Sequence, residues 1–152
     1  MTGVEEALET IARGEFVLVF DSEERERETD LIKAAVHTVP ADIARMRVDG
    51  GGLIFLMVAH EIAAKLGLPF LADVFYREGT RFPVLKELIP NDIPYDVKSS
   101  FSVPINHRRT FTGITDEDRA LTVRRFGELA GDIGDMTPVR AQRAFGEEFR
   151  AP

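Results

Sequence analysis

Apolar positions near the start of the chain recur at helical spacing. Val4, Ala7, Leu8 and Ile11 share one face, which predicts a helix closed by Gly14. Thr2, with Glu5 three residues later, has the form of a capping box at its start. The pattern then changes to a solid apolar run, Phe16-Val17-Leu18-Val19-Phe20, which predicts a buried strand over 15–20. Residues 31–39 are apolar and β-branched and predict a second strand ending at Pro40, and 42–47 suit a short helix. Gly50-Gly51-Gly52 calls for a turn or a close approach, because three glycines cost too much chain entropy inside a helix or strand. Another unbroken apolar run, 53–58, predicts a further buried strand, followed by a short helix over 61–66 stopped by Gly67 and Pro69. Pro83, Pro90 and Pro94 punctuate 76–97, which reads as a long loop. Residues 100–103 alternate as a half-exposed strand does. Thr115 then opens a helix with Asp118 at the capping-box position, carried by Leu121, Arg125, Phe126 and Leu129 to Gly131. The closing segment 145–152 shows neither a helical pattern nor a cap. Strands interleaved with helices predict an α/β fold (an α+β sandwich), a mixed β-sheet flanked by helices, in a single domain over 1–152.

Composition narrows the classes of function. With 44% hydrophobic and 30% charged residues, the chain of 152 residues is ordinary for a globular protein with one sizeable core. No apolar stretch approaches the roughly 20 residues of a membrane span. The start, Met1-Thr2-Gly3-Val4-Glu5-Glu6, lacks the basic and apolar regions of a signal peptide, so a cytoplasmic protein with no membrane partner is expected. The chain has no cysteine, which excludes disulfides, thiolate catalysis and cysteine-ligated metals. A net charge of −7 argues against nucleic acid as a partner. The basic cluster His107-Arg108-Arg109 suits a small phosphorylated molecule better than a duplex.

The run from Asp21 to Asp30, Asp-Ser-Glu-Glu-Arg-Glu-Arg-Glu-Thr-Asp, is the most informative segment. It follows the first predicted strand, where α/β proteins tend to bind ligands. If the backbone stays extended past Asp21, then Glu24, Glu26, Glu28 and Asp30 share one side and Arg25 and Arg27 the other. Carboxylates lined up in that way repel one another unless a cation sits among them, and hard ions such as Mg²⁺ or Mn²⁺ prefer oxygen ligands. The same residues are also readable as a solvated charge run, with Arg25 a counter-charge to its neighbours.

These residues carry a resemblance. Asp21-x-x-x-Arg25-Glu26-x-Glu28-x-Asp30-Leu31 resembles the acidic loop of the 3,4-dihydroxy-2-butanone 4-phosphate synthase family of riboflavin biosynthesis, in its archaeal single-function form. Gly51-Gly52-Leu53-Ile54, the turn Pro90-Asn91-Asp92-Ile93-Pro94-Tyr95-Asp96, and Thr110-Phe111-Thr112-Gly113-Ile114-Thr115-x-x-Asp118-Arg119-Ala120 agree in order and spacing. The resemblance implies a metal-dependent lyase, using Mg²⁺ or Mn²⁺. It would convert ribulose 5-phosphate to 3,4-dihydroxy-2-butanone 4-phosphate and formate, as a homodimer with sites at the subunit boundary. It assigns Glu26 to the metal and, with Arg25, to the sugar phosphate. Asp30 and Thr112 become substrate contacts, Glu28 a carboxylate for proton transfer, and Asp21 a catalytic-loop residue that supports the others.

Three departures from the family accompany the likeness. Position 27 is usually small there, often Gly or Asn, and here it is Arg27. Phe55 stands where a small polar residue or cysteine is common. The family also continues past the position of Pro152 into a segment with an Arg-x-Gly-His-Thr-Glu motif, whose histidine binds metal, and none of His37, His60 or His107 sits in such a motif. The expectation is thus a synthase chain lacking its C-terminal part, with an inactive fragment or a binding module of the same fold as alternatives. His37 is expected at a core or rim position, His60 at a helix start and His107 at the surface. The triple glycine, outside any Gly-x-Gly-x-x-Gly pattern, is not read as nucleotide-binding.

Overall fold

The computed structural model describes residues 3–89 and 92–152. Thr2, the expected cap, and the Pro90-Asn91 start of the expected turn lie outside the described residues. Helix α1 (Gly3–Ala12) leads into strand β1 (Val17–Phe20), which pairs antiparallel with β2 (Thr29–Ile32) in the register Val17↔Ile32 to Phe20↔Thr29. A short 3₁₀ helix, Ala35–His37, precedes α2 (Pro40–Asp49). Then come α3 (His60–Leu66), α4 (Leu71–Glu78), α5 (Val84–Glu87), β3 (Asn106–His107), α6 (Asp116–Ile133), α7 (Pro138–Glu148) and β4 (Phe149–Arg150), which pairs antiparallel with β3.

Helix α6 organises the core. Its N-terminus is capped by Thr115, whose hydroxyl accepts from Asp118 N, and Ala120, Thr122, Phe126, Leu129 and Ile133 make its buried stripe. Leu66 of α3, Ala141 of α7 and Phe149 of β4 close over that stripe. Phe149 stacks on Phe145 with ring centroids 5.1 Å apart and meets Phe126 edge-on at 5.8 Å. Lys65 donates to the carbonyls of Ile133 and Gly134, satisfying the C-terminal end of α6 from a neighbouring helix. Gly127 sits where α6 crosses the 3₁₀ helix. A Cβ there would lie 2.8 Å from the Ala35 Cβ and 3.0 Å from the Val36 N, so only glycine lets the two backbones approach so closely.

Several expectations are corrected. Helices and short strands are present, but among the described residues the strands form two separate two-stranded antiparallel sheets and no mixed β-sheet. The second expected strand ends at Ile32, because the chain turns into the 3₁₀ helix that packs on α6. The 53–58 run is extended without a strand partner among the described residues, and its side chains alternate between half-buried and exposed. The 100–103 segment is likewise extended but unpaired. β1 is not buried: Leu18 is 68% exposed and Phe20 49%. The long loop over 76–97 is shortened by the end of α4 and by α5, whose N-cap is Pro83, a residue whose fixed φ suits a helix start. The closing segment is ordered by α7, because Ala141, Phe145 and Phe149 fall four residues apart on one face. The triple glycine is a turn, with Gly51 and Gly52 at φ 77° and 88°.

Candidate active site

Pairing of Val19 with Asp30 and Phe20 with Thr29 makes 21–28 the tip of a hairpin. The tip is folded, not extended, so the alternation that would have aligned four carboxylates does not arise. Asp21 causes the fold: one carboxylate oxygen accepts from Ser22 N and the other from Glu26 N at 2.8 Å, while Asp21 N donates to Glu28 O at 3.2 Å. Partial desolvation works to raise the Asp21 pKa, but the N–H groups of Glu26, Ser22 and Glu28 outweigh it and hold the carboxyl below its ordinary value. Arg27, at φ 56°, takes the left-handed conformation that the turn requires, and its Nε donates to Glu23 O at 2.7 Å. The arginine meets that backbone demand with a side-chain bond.

A second segment closes on the loop. The Arg25 guanidinium lies 5.5 Å from the centroid of the Tyr95 ring and 3.8 Å from Asp96 Oδ2. The Tyr95 hydroxyl lies beside the Glu26 carboxylate. That proximity, then partial desolvation and the Glu26 charge, raise the phenol's pKa above its ordinary value, so the group stays protonated through neutral pH. Arg25 and Glu26 are therefore oriented by the turn that contains Pro94-Tyr95-Asp96, a role absent from the sequence reading, although the Pro-Tyr-Asp triplet was its visible signal. Glu28 and Asp30 line a cavity of about 360 Å³ with Lys33, Thr38 and residues 53–57.

Thr112 is elsewhere. Its turn borders a larger, mostly apolar cavity of about 850 Å³ through Gly113, and the extended segment at Leu53, Ile54, Phe55 and Leu56 lines both cavities and separates them. Phe55 is half exposed there, edge-on to Phe101 at 5.8 Å. Asp118, read from the sequence as a capping residue, bends back past that role. Its carboxylate accepts from the backbone N–H of Phe111 (3.3 Å), Thr112 (3.0 Å) and Gly113 (2.8 Å). Gly113 has φ 76°, and a Cβ there would collide with the Asn106 amide 2.1 Å away.

His107 is not at the surface. It is 4% exposed, with its Nδ1 accepting from Arg109 N at 3.1 Å and its Nε2 lying 3.5 Å from Glu148. Burial, then the charge of Arg109, depresses its pKa, so it is neutral and structural at pH 7. His60 begins α3 as expected, and His37 is exposed at the rim.

Among the described residues, no three His, Asp or Glu side chains converge as a metal site. Asp21 turns both oxygens onto backbone N–H groups. Among the described residues, the donors therefore do not by themselves fit a complete divalent site. Among the same residues, no helix is long and apolar enough to cross a membrane.

Comparison with known proteins gives this hairpin and the Thr112 turn a family. Residues 5–151 match the model of 3,4-dihydroxy-2-butanone 4-phosphate synthase. The chain belongs to that family. The 3,4-dihydroxy-2-butanone 4-phosphate synthase of Methanothermobacter thermautotrophicus is 52% identical over 149 residues, 98% of this chain and 62% of that protein. The synthase of Archaeoglobus fulgidus is 46% identical, over 97% of this chain and 61% of its own length. A crystal structure of a 3,4-dihydroxy-2-butanone 4-phosphate synthase in a cation-free form is similar at a TM-score of 0.65 and 25% identity, covering 100% of this chain and 56% of that one. The chain thus spans about three-fifths of the length of the synthases that it matches.

Proposed function

We propose that this chain acts in riboflavin biosynthesis as a 3,4-dihydroxy-2-butanone 4-phosphate synthase, a lyase that converts ribulose 5-phosphate to the butanone phosphate and formate. The observation that carries the reading is the Arg25–Glu26 pair held between Asp21 and the Tyr95–Asp96 turn, in a chain matched to that family over 5–151. The chemistry moves protons and polarises oxygens at each stage: enolisation, dehydration, a skeletal shift and hydrolytic loss of one carbon.

In this reading Arg25 binds the sugar phosphate, with Tyr95 and Asp96 fixing the plane of its guanidinium. Glu26 faces the sugar and is a donor to Mg²⁺ or Mn²⁺, whose remaining ligands must come from groups beyond those that converge in this chain. Glu28 and Asp30, at the mouth of the smaller cavity, are the carboxylates for proton transfer and substrate hydrogen bonding, work worth about 10²–10⁴-fold in rate. Asp21 supports the loop through its backbone bonds, and Thr112 contacts the substrate. The working form is a cytoplasmic homodimer whose sites draw on both subunits. That assembly would bring the hairpin and the Thr112 turn of different copies together, which their separation within one copy leaves room for.

Formate release from ribulose 5-phosphate, with Mg²⁺ and with chelator, tests the activity. Glu26→Gln should abolish metal-dependent turnover without changing the melting temperature. Near-wild-type turnover in that variant would overturn the role of Glu26. No formate from the chain, beside an active longer relative, would favour an inactive fragment.

A further inference from the structure

Residues 92–99 bridge the hairpin tip and the start of α4, and little besides polar contacts holds them. Pro94, Tyr95, Asp96 and Val97 are exposed, Val97 at 93%. Among the described residues, no backbone–backbone hydrogen bond reaches 92–99. Yet this strap meets the candidate site at one end, where Tyr95 and Asp96 face the Arg25 guanidinium. An exposed strap with no ladder and little burial keeps such a contact only if it is fastened elsewhere.

The fastening is Lys98. Its Nζ donates to both carboxylate oxygens of Asp73, at 3.0 and 2.9 Å, and lies 4.3 Å from the centroid of the Phe70 ring. Phe70 is the N-cap residue of α4 and Asp73 stands in its first turn, so Lys98 is tied to the end of a helix. Just beyond it, Phe101 O accepts from Leu71 N at 2.8 Å and the Ser102 hydroxyl donates to Pro69 O at 2.7 Å, at the same helix end. Toward the tip, one Asp96 oxygen accepts from Val97 N at 2.8 Å, and the other lies 3.8 Å from Arg25. A polar path thus runs from Asp73 through Lys98 and the Val97 N–H to Asp96 and Arg25. The side chains of Lys98 and Asp73 are 41% and 49% exposed, so their pairing adds little to global stability. Its consequence is local.

We propose that Lys98, clamped by Asp73, is a positioning residue: it holds Tyr95 and Asp96 against Arg25 and thereby sets the direction in which Arg25 presents its guanidinium to a ligand. This rests on the substrate role proposed for Arg25. It separates two tasks at the tip: Asp21 shapes the backbone, and the Lys98 anchor aims a side chain.

The test is the Arg25 Nε–H resonance of the full chain in proton–nitrogen NMR, whose position carries the ring current of Tyr95. Tyr95→Leu supplies the position without the ring. Lys98→Met should move the resonance most of the way there. Lys98→Arg keeps the charge and can still grip the Asp73 carboxylate, and should leave it near wild type. Asp73→Asn should match Lys98→Met, with the double variant no further displaced. Amide exchange at Glu26 should stay at the wild-type rate in all of them, because Asp21 holds that N–H from within the loop. A resonance unmoved by Lys98→Met, or moved as far by Lys98→Arg, overturns the proposal. So does faster exchange at Glu26, which would make the pair a general support of the loop. In titration with ribulose 5-phosphate, Lys98→Met should weaken binding about fivefold, the scale of one hydrogen bond, and Lys98→Arg should restore it. Undiminished affinity in Lys98→Met, with the resonance displaced, also overturns it. A wild-type chain that does not bind ribulose 5-phosphate overturns the substrate reading of Arg25 instead, and the resonance then decides the anchoring alone.

Discussion

The α6–α7 body and the β1–β2 hairpin are held by different forces. In the body, Phe126, Leu129, Ile133, Ala141 and Phe149 are buried against one another, and the polar groups at the edge are closed by paired contacts such as the two-pronged Arg125–Glu148 bridge at 2.9–3.0 Å. In the hairpin, Leu18, Val19 and Phe20 remain substantially exposed, and the tip is shaped by Asp21 and Arg27 bonding to backbone. Burial gives the body its stability. Local polar bonds give the tip a geometry that can present Arg25 and Glu26 without covering them. A loop that leaves its charged side chains uncovered cannot be pinned by apolar packing, so its shape has to come from within its own backbone.

That contrast can be broken most severely from the body. Phe149→Ala empties a fully buried ring site that Phe126, Phe145 and His107 all face, and should cost about 3–5 kcal/mol, read as a large fall in melting temperature. The joint between the regions comes next. Lys33 and Asp42 form an ion pair at 2.6 Å with side chains 8% and 13% exposed, and the same Asp42 oxygen accepts from Val39 N at the start of α2. Lys33→Met removes one member of a buried pair and should cost about 3 kcal/mol in chemical denaturation. Within the tip the effects shrink. Arg27→Val forces a β-branched residue into the left-handed region, at about 1–2 kcal/mol of local stability, whereas Arg27→Gly should change it by less than about 0.5 kcal/mol. Amide exchange at Glu26, whose N–H binds Asp21, is the readout.

The gentlest probe is pH. The pKa of His107 is below its ordinary 6.5 in the folded chain, so the neutral form is favoured by folding. Its contribution should be complete above pH 6.5 and be lost as pH falls through the depressed folded value. His107→Gln should flatten that part of the stability profile. An unchanged slope would remove His107 as its source.

The sequence was most legible where one residue type answers to one physical demand. Helix α6 was readable from Thr115 and the apolar stripe behind it, and the acidic loop from its charges. Gly67, at φ 69°, ends α3 where its position in the pattern said it would. The strands were misread because apolar runs such as 53–58 look the same whether or not a partner strand lies beside them. α7 was missed because its face is built from alanines and two phenylalanines among charges. The loop's shape was misread for another reason: the Asp21 bond to Glu26 N spans five residues, and no alternation rule contains it. Phe55 has a place in the structure, against Phe101 and in the lining of both cavities, but nothing there explains a large ring where the resemblance leads to the expectation of a small polar residue.

The unpaired extended segments carry a colloidal consequence. From Leu53 to Val58, no backbone N–H finds a backbone partner among the described residues, and Leu53, Phe55 and Met57 face outward. An exposed apolar edge of this kind is a template for stacking with another chain. What opposes stacking is mutual repulsion between molecules each carrying a net charge of −7. That repulsion vanishes near the isoelectric point of about 5.0, so mild acid should precipitate the protein while its core is still folded. Its shelf life in solution is therefore set by the charge of its surface before it is set by the strength of its fold.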